Sequence, residues 1–139
     1  MEPSNKSPLE QAVARYLAGT PATDLLEDFA AITAADPHQS SGWTCFAWLQ
    51  LLCDQPENAL RSARMAVKLN GQDLQARVNL SLAMLETGTS GVRDQIRIVQ
   101  RVVSITPEMA HELRESVGDG LERRPGWPAL LKIKTWLEL

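Results

Sequence analysis

The chain has 139 residues, of which 44% are hydrophobic, and this is enough for one domain with a buried core. Its formal net charge of −3 argues against a dedicated nucleic-acid binder. The N-terminal sequence MEPSNKSPLEQ lacks the basic start and apolar run of a signal peptide, and no segment approaches the roughly 18 consecutive apolar residues of a membrane span. We therefore expect a cytoplasmic protein with a single domain over residues 8–139.

A first helical hairpin is predicted over residues 8–37, after a flexible tail of residues 1–7. Its first helix carries apolar residues on one side and ends before a Gly-Thr-Pro turn. Its second helix begins at residue 25, with Thr23 or Asp24 as the N-cap, and stops at an Asp-Pro pair.

The second hairpin covers residues 41–71 and has the clearest pattern. Its first helix is almost continuously apolar, which is typical of a helix sandwiched between neighbours. Asp54 or Gln55 caps the next helix, and Pro56 takes the first helical position, where its missing N–H costs no hydrogen bond. An Asn-Gly pair ends this helix, and we expect Gly71 to adopt the left-handed conformation.

The third hairpin covers residues 74–107 and has a Gly-rich turn at residues 88–91. The three hairpins close at Pro37, Gly71 and Pro107, which are 34 and 36 residues apart. This near-constant spacing indicates a structural repeat.

The C-terminal segment, residues 108–139, departs from the repeat. A helix is predicted from Glu108 to about Val117, and the sequence Gly118-Asp119-Gly120 weakens its end. A final apolar helix opens at Pro128. We expect this segment to cap the open face of the last hairpin; the alternative is that its final helix docks on another chain.

The spacing of large and small residues in the second hairpin resembles that of the tetratricopeptide repeat, whose period is about 34 residues. The matching positions are Trp43, Phe46, Ala47, Ala59 and Ala66. The resemblance covers roughly residues 24–107. It implies an all-α fold of the α–α superhelix class, a right-handed stack of about three such hairpins followed by a C-terminal capping helix.

In tetratricopeptide proteins the first helix of each hairpin lines a concave groove that takes up a peptide or helix. By alignment, the groove here would be lined by Thr44, Cys45, Trp48, Leu52, Val78, Asn79, Leu82 and Glu86. The resemblance gives Asn79 the role of gripping peptide backbone, but the Lys and Arg that complete a carboxylate clamp are absent. An apolar segment is therefore a better ligand than an acidic C-terminus. The alternative is that these residues belong to the core, covered by the first hairpin or the final helix.

Basic residues recur at helical spacing on the second helices of two hairpins. The two rows are Arg61, Arg64 and Lys68, and Arg93, Arg97 and Arg101. They form either a solvated outer face, paired with local acids such as Glu57 and Asp94, or a docking patch for an acidic partner or an anionic membrane surface.

The sequence contains no recognisable catalytic or metal-binding motif. His38 and His111 lack neighbours at metal-ligand spacing, and no Gly-rich phosphate loop is present. Cys45 and Cys53 lie eight residues apart on one predicted helix, about 12 Å along its axis, which is too far for a disulfide between them. We expect both to be buried thiols. These observations predict a protein that is not an enzyme and has no cofactor and no bound metal.

The combined prediction is a non-catalytic interaction module, an adaptor or assembly chaperone that binds an apolar peptide or helix of a partner protein in its groove. We expect no nucleic-acid partner and no membrane span. One alternative is a structural subunit that forms a homo-oligomer through its final helix or an exposed apolar face. Another is a docking factor that uses the Arg93, Arg97 and Arg101 row, for which binding would be sensitive to salt.

Overall fold

The computed structural model describes residues 5–139, which form eight α-helices and one short 3-10 helix at Ala22–Asp24. The α-helices are α1 (Pro8–Leu17), α2 (Leu26–Ala35), α3 (Ser40–Leu52), α4 (Pro56–Leu69), α5 (Leu74–Thr87), α6 (Val92–Ile105), α7 (Pro107–Arg123) and α8 (Pro128–Trp136). No strand occurs in this range. The prediction of an all-α fold is confirmed.

Helices that follow one another in the chain pack against each other in succession. The pairs α1–α2, α3–α4, α5–α6 and α7–α8 are all in contact, and α3 also packs directly on α5. This sequential packing is consistent with the predicted helical superhelix. The α3–α4 pair can approach closely because the alanines between the helices, Ala47, Ala59 and Ala63, are fully buried.

Helix starts follow local capping chemistry. Ser7 and Glu10 form a capping box at α1, in which Ser7 Oγ accepts a hydrogen bond from the Glu10 backbone N–H at 3.1 Å. Ser7 belongs to the predicted tail, of which residues 1–4 lie outside the described residues. A proline opens α4, α7 and α8 at the position where its missing N–H is tolerated, as predicted for α4 and α8.

The predicted N-cap of α2 was wrong, and that of α4 is confirmed in position but not in its side-chain hydrogen bond. Neither Thr23 nor Asp24 caps α2, because a 3-10 turn leads into the helix and Leu25 takes the N-cap position without a side-chain hydrogen bond. Gln55 occupies the N-cap of α4 but its side chain makes no capping bond, and Asp54 instead turns the chain with a φ of 57°.

Gly71 does not take the left-handed conformation that its position predicted. The chain leaves α4 through Asn70 in an extended conformation, with φ of −147° and ψ of 91°, so no left-handed residue is needed. The Asn70 side chain stabilises the turn by accepting a hydrogen bond from the Gln72 N–H at 3.1 Å.

α7 continues to Arg123 and does not end near Val117 as predicted. Two glycines inside a helix cost about 1 kcal/mol each relative to alanine. Gly120 is buried against α3 and α8, so that a Cβ there would lie 2.8 Å from Trp48 Cη2 and 2.7 Å from Leu130 Cδ2. The close packing that Gly120 permits offsets the cost of carrying α7 through the glycines.

No helix within residues 5–139 has the length and apolar character needed to cross a membrane.

We predict opposite effects for two alanine substitutions in α7. Gly120→Ala should lower the free energy of unfolding by about 1–3 kcal/mol, because the added methyl overlaps the Trp48 and Leu130 side chains. Gly118→Ala, the matched control, should raise it by about 0.5–1 kcal/mol, because nothing lies within 4 Å of the added Cβ and alanine favours a helix. Urea denaturation measures both; equal effects would show that α7 does not approach α3 this closely.

Candidate functional site

The structure separates the predicted groove residues into an open and a covered group. Cys45 and Leu52 on α3 are partly exposed and line two neighbouring clefts, and Thr44 and Trp48, at 7% and 8% exposed, border the cleft at Cys45. The α5 residues are covered, with Val78, Asn79 and Leu82 almost completely buried and Glu86 half-buried. The inner surface is therefore only partly accessible.

The C-terminal segment covers the α5 part of the groove. Val78 and Leu82 share one apolar core with Trp127, Leu130 and Ile133. The Trp127 ring is 1% exposed, and its centroid lies 5.6 Å from that of Trp48. A buried aromatic side chain contributes about 1.5–3 kcal/mol, so this contact stabilises the covered arrangement.

The side chain of Asn79 forms its hydrogen bonds within the fold. Its Nδ2 donates to the Thr44 carbonyl oxygen at 2.9 Å, and its Oδ1 accepts from Gln75 Nε2 at 2.8 Å. The side chain is 0% exposed. Asn79 thus links α3 to α5 from the position where the resemblance implied a grip on peptide backbone.

Glu86 is held by the segment between α7 and α8. Its Oε1 accepts hydrogen bonds from Trp127 Nε1 and Arg124 Nη1, both at 3.1 Å. Arg124 also donates to the Leu51 carbonyl oxygen at 2.9 Å. Burial raises the pKa of the Glu86 carboxyl, and Arg124 and Trp127 counteract this rise only in part. Glu86 therefore acts as an anchor for the C-terminal segment.

A second anchor joins α7 to α1 and α3. The Tyr16 hydroxyl donates to the Asp119 carboxylate and accepts a hydrogen bond from Trp48 Nε1 at 2.8 Å. The Arg123 guanidinium lies 3.6 Å from the centroid of the Tyr16 ring and donates to the Tyr16 and Thr20 carbonyl oxygens at 2.6 Å and 3.0 Å. Burial, followed by the bond to Asp119, raises the pKa of Tyr16 well above its usual value of about 10.

A cleft of about 460 Å³ lies between α7 and the wall formed by α1, α2 and α3, next to the Tyr16–Asp119 contact. We call it the inner cleft. Its walls come from α1, α2, α3, α5 and α7: Val13, Tyr16, Leu17, Phe29, Thr44, Cys45, Trp48, Leu49, Gln75, Glu112, Glu115, Ser116 and Asp119. Most of the lining from α1, α2 and α3 is apolar, while α7 contributes carboxylates and one serine. Of the eight predicted groove residues, Thr44, Cys45 and Trp48 line the inner cleft.

Both cysteines are free thiols and half-buried. Burial, with a smaller effect from Asp73, raises the pKa of Cys45 to about 11, so its thiol stays protonated at neutral pH. Burial also raises the pKa of Cys53. A protonated thiol is a poor nucleophile and a poor metal ligand.

The two basic rows lie on the exposed faces of α4 and α6, as their spacing predicted; Arg61, Arg64, Lys68, Arg93, Arg97 and Arg101 are all exposed. Arg97 Nη1 lies 3.9 Å from Asp94 Oδ1, the local pairing considered above, with both side chains largely solvated. Such an exposed pair contributes at most about 1 kcal/mol. The rows are separate from the inner cleft.

Both histidines are exposed, and His111 Nε2 lies 3.0 Å from Glu115 Oε1. Among residues 5–139, no group of three His, Cys, Asp or Glu side chains is arranged to hold a metal ion.

Comparison of the sequence with protein-family models and with curated proteins yields no match. The interpretation of the inner cleft therefore depends on its own geometry and chemistry.

The side chains that hold the C-terminal segment in the groove were missed at the sequence level. They are Tyr16, Asp119, Arg123, Arg124 and Trp127. A usable signal existed at Trp127, because a large aromatic residue next to a Pro-Gly turn is more often buried than solvated. No local pattern indicates that residues over 100 positions apart, such as Tyr16 and Asp119, form a hydrogen bond.

Tyr16 offers a direct test of the α1–α7 anchor, since it is the only tyrosine in the chain and phenolate absorbance reports it alone. The folded protein holds the phenol proton at a pH where the unfolded chain releases it, so stability should fall as pH rises above about 10. We expect phenolate to appear only as the protein unfolds in alkali, whereas the chain in denaturant titrates near pH 10. Asp119→Asn should shift the native titration toward lower pH; a wild-type native midpoint near 10 would contradict the anchor.

Proposed function

We propose that this protein is a non-catalytic interaction module, an adaptor or assembly chaperone that holds an apolar peptide or helix of a partner protein in the inner cleft. The observation that carries the proposal is the accessible apolar surface of this cleft. Leu17 at its edge is 77% exposed, although it is a large aliphatic residue. Ligand sites in proteins are mostly concave and apolar with a few polar groups at defined positions, and the cleft has this composition.

We further propose that the helical hairpins are tetratricopeptide-like. Support comes from the spacing of the hairpin ends and from the burial of alanines at the small-residue positions. Ala47, Ala59 and Ala66 are all 0% exposed. In such a stack the inner helices carry the recognition surface, and α3 supplies Thr44, Cys45 and Trp48 to the cleft.

A binding role without catalysis suits the chemistry of the cleft. Cys45, the thiol that lines it, is protonated at neutral pH because burial raises its pKa to about 11. Free cysteines are also typical of proteins in a reducing compartment, which favours the cytoplasm.

A second candidate function is self-association, which would make the protein a structural subunit. Large apolar side chains are exposed on the last three helices: Ile98 and Ile105 on α6, Met109 on α7, and Leu131 and Trp136 on α8. Exposed apolar residues near the end of a helical stack are typical of surfaces that continue into another subunit.

The proposed function is tested by a matched pair of substitutions, Leu17→Asp and Ile105→Asp. Both replace an aliphatic residue about four-fifths exposed, at 77% and 80%, but only Leu17 lines the inner cleft. With purified tagged protein added to a lysate of its own source, we expect Leu17→Asp to lose the captured partner and Ile105→Asp to retain it. Circular dichroism should show the same helix content for all three proteins. Identical capture by the wild type and Leu17→Asp would contradict binding in the cleft.

Self-association is distinguished by the same pair in the ultracentrifuge. If the end of the stack is an interface, the wild type should sediment as a dimer or larger, Ile105→Asp as a monomer, and Leu17→Asp like the wild type. A wild type that sediments as a monomer at high protein concentration would contradict the structural role.

A further inference from the structure

The inner cleft has walls of two different chemistries. Val13, Phe29 and Cys45 line it from the side of α1, α2 and α3. Glu112, Glu115 and Asp119 line it from α7. A ligand that fills the cleft must satisfy an apolar surface on one side and carboxylates on the other.

The carboxylates belong to a row along the whole of α7. Acidic residues occur at positions 108, 112, 115, 119 and 122, and spacings of four and three residues put them on one face of a helix. Glu112 also borders a hollow near the start of α5, and Asp119 and Glu122 border the cleft beside Leu17 and Leu52. These five carboxylates, which we call the acidic wall, therefore extend past both ends of the inner cleft.

Most of this negative charge is not neutralised within the described residues. Arg123 pairs with Asp119 at 3.3 Å, and His111 contacts Glu115. Within residues 5–139 no ion pair reaches Glu108, Glu112 or Glu122. Arg114, which is also on α7, lines a separate hollow together with Lys134.

Arg123 is an example, within the chain, of a positive group bound by this wall. Its guanidinium sits over the Tyr16 ring and bonds to Asp119, so an aromatic face and a carboxylate share one positive group at the edge of the cleft. The remaining part of the wall, at Glu112 and Glu115, has carboxylates that are accessible to a positive group from another molecule.

Resting on the proposed function, we propose that the partner segment is an amphipathic helix with an apolar side that fills the inner cleft and Lys or Arg residues that pair with the acidic wall of α7. An apolar helix face laid into a groove is an established recognition mode. Charge complementarity along the rim then selects basic over acidic partners and speeds association. The absence of a basic carboxylate clamp agrees with this choice.

The probe for this proposal is a dye-labelled amphipathic helical peptide made of leucine and lysine, with a leucine–glutamate peptide of equal length as its counterpart. Binding is measured by fluorescence anisotropy. The wild type should bind the lysine peptide, with affinity that falls as salt is raised, and should not bind the glutamate peptide.

Two double variants change the net charge by the same amount. They distinguish an effect of the acidic wall on binding from an effect of the overall charge of the protein. Glu112→Gln with Glu115→Gln removes two carboxylates of the cleft. Loss of each exposed ion pair should lower the affinity about 1.4- to 5-fold, so the double variant should bind about 2- to 25-fold more weakly. Glu27→Gln with Glu57→Gln removes two exposed carboxylates that line neither cleft and should leave the affinity unchanged. Equal losses in the two double variants, or equal binding of both peptides, would overturn the proposal.

Failure of this inference is distinguishable from failure of the proposed function. A partner whose capture depends on Leu17 but not on Glu112 and Glu115 would overturn the basic-helix assignment and leave the interaction module standing. A wild-type dimer that the Glu112 and Glu115 double variant dissociates would assign the cleft to a second copy of this chain, and would overturn the proposal as well.

Discussion

The close approach of α7 to α3 at Gly120 is the constraint on which the inner surface depends. The Trp48 ring and the Leu130 side chain occupy the space that any Cβ at position 120 would need. Because α7 can lie this close, Trp127 reaches the Trp48 ring, and α8 packs on α5. A bulkier residue at this position would separate α7 from α3, and the C-terminal segment would lose its place in the groove.

Hydrogen bonds then determine the orientation in which that segment lies. Arg123 donates to the Tyr16 carbonyl oxygen of α1 and pairs with Asp119, and Arg124 donates to the Leu51 carbonyl oxygen of α3 and pairs with Glu86. Buried charged groups are favourable only when paired and bonded in this way. One anchor bonds to Trp48 through Tyr16 and the other bonds to Trp127 through Glu86, so both rings of the Trp48–Trp127 contact are held by hydrogen bonds. The same arrangement leaves the inner cleft open next to α1 and brings the acidic row of α7 to its edge.

This geometry connects the fold to the proposed function. If α7 filled the entire groove, the inner surface would be an ordinary core. If the groove were fully open, Val78 and Leu82 would be exposed as well. The intermediate arrangement leaves a cleft of about 460 Å³, which is the size of a typical small ligand site and can take a few side chains of a partner helix. Trp48 belongs to both the covered and the open part, because its ring packs on Trp127 and the residue also borders the cleft.

Local sequence was sufficient to predict the class of fold and most helix limits. α1, α4, α5 and α6 match their expected ranges, because apolar periodicity, an opening proline or a closing glycine or proline lies within a few residues of each end. Local signals failed at α7. Two glycines predicted an early end of the helix, but α7 continues through them because Gly120 packs closely against Trp48. The repeat pattern proposed which residues would face a groove, but it did not indicate that Val78, Asn79 and Leu82 are buried. That outcome depends on contacts such as Tyr16 with Asp119 and Trp48 with Trp127, which join positions 103 and 79 residues apart, and such pairings are decided only when the helices pack together.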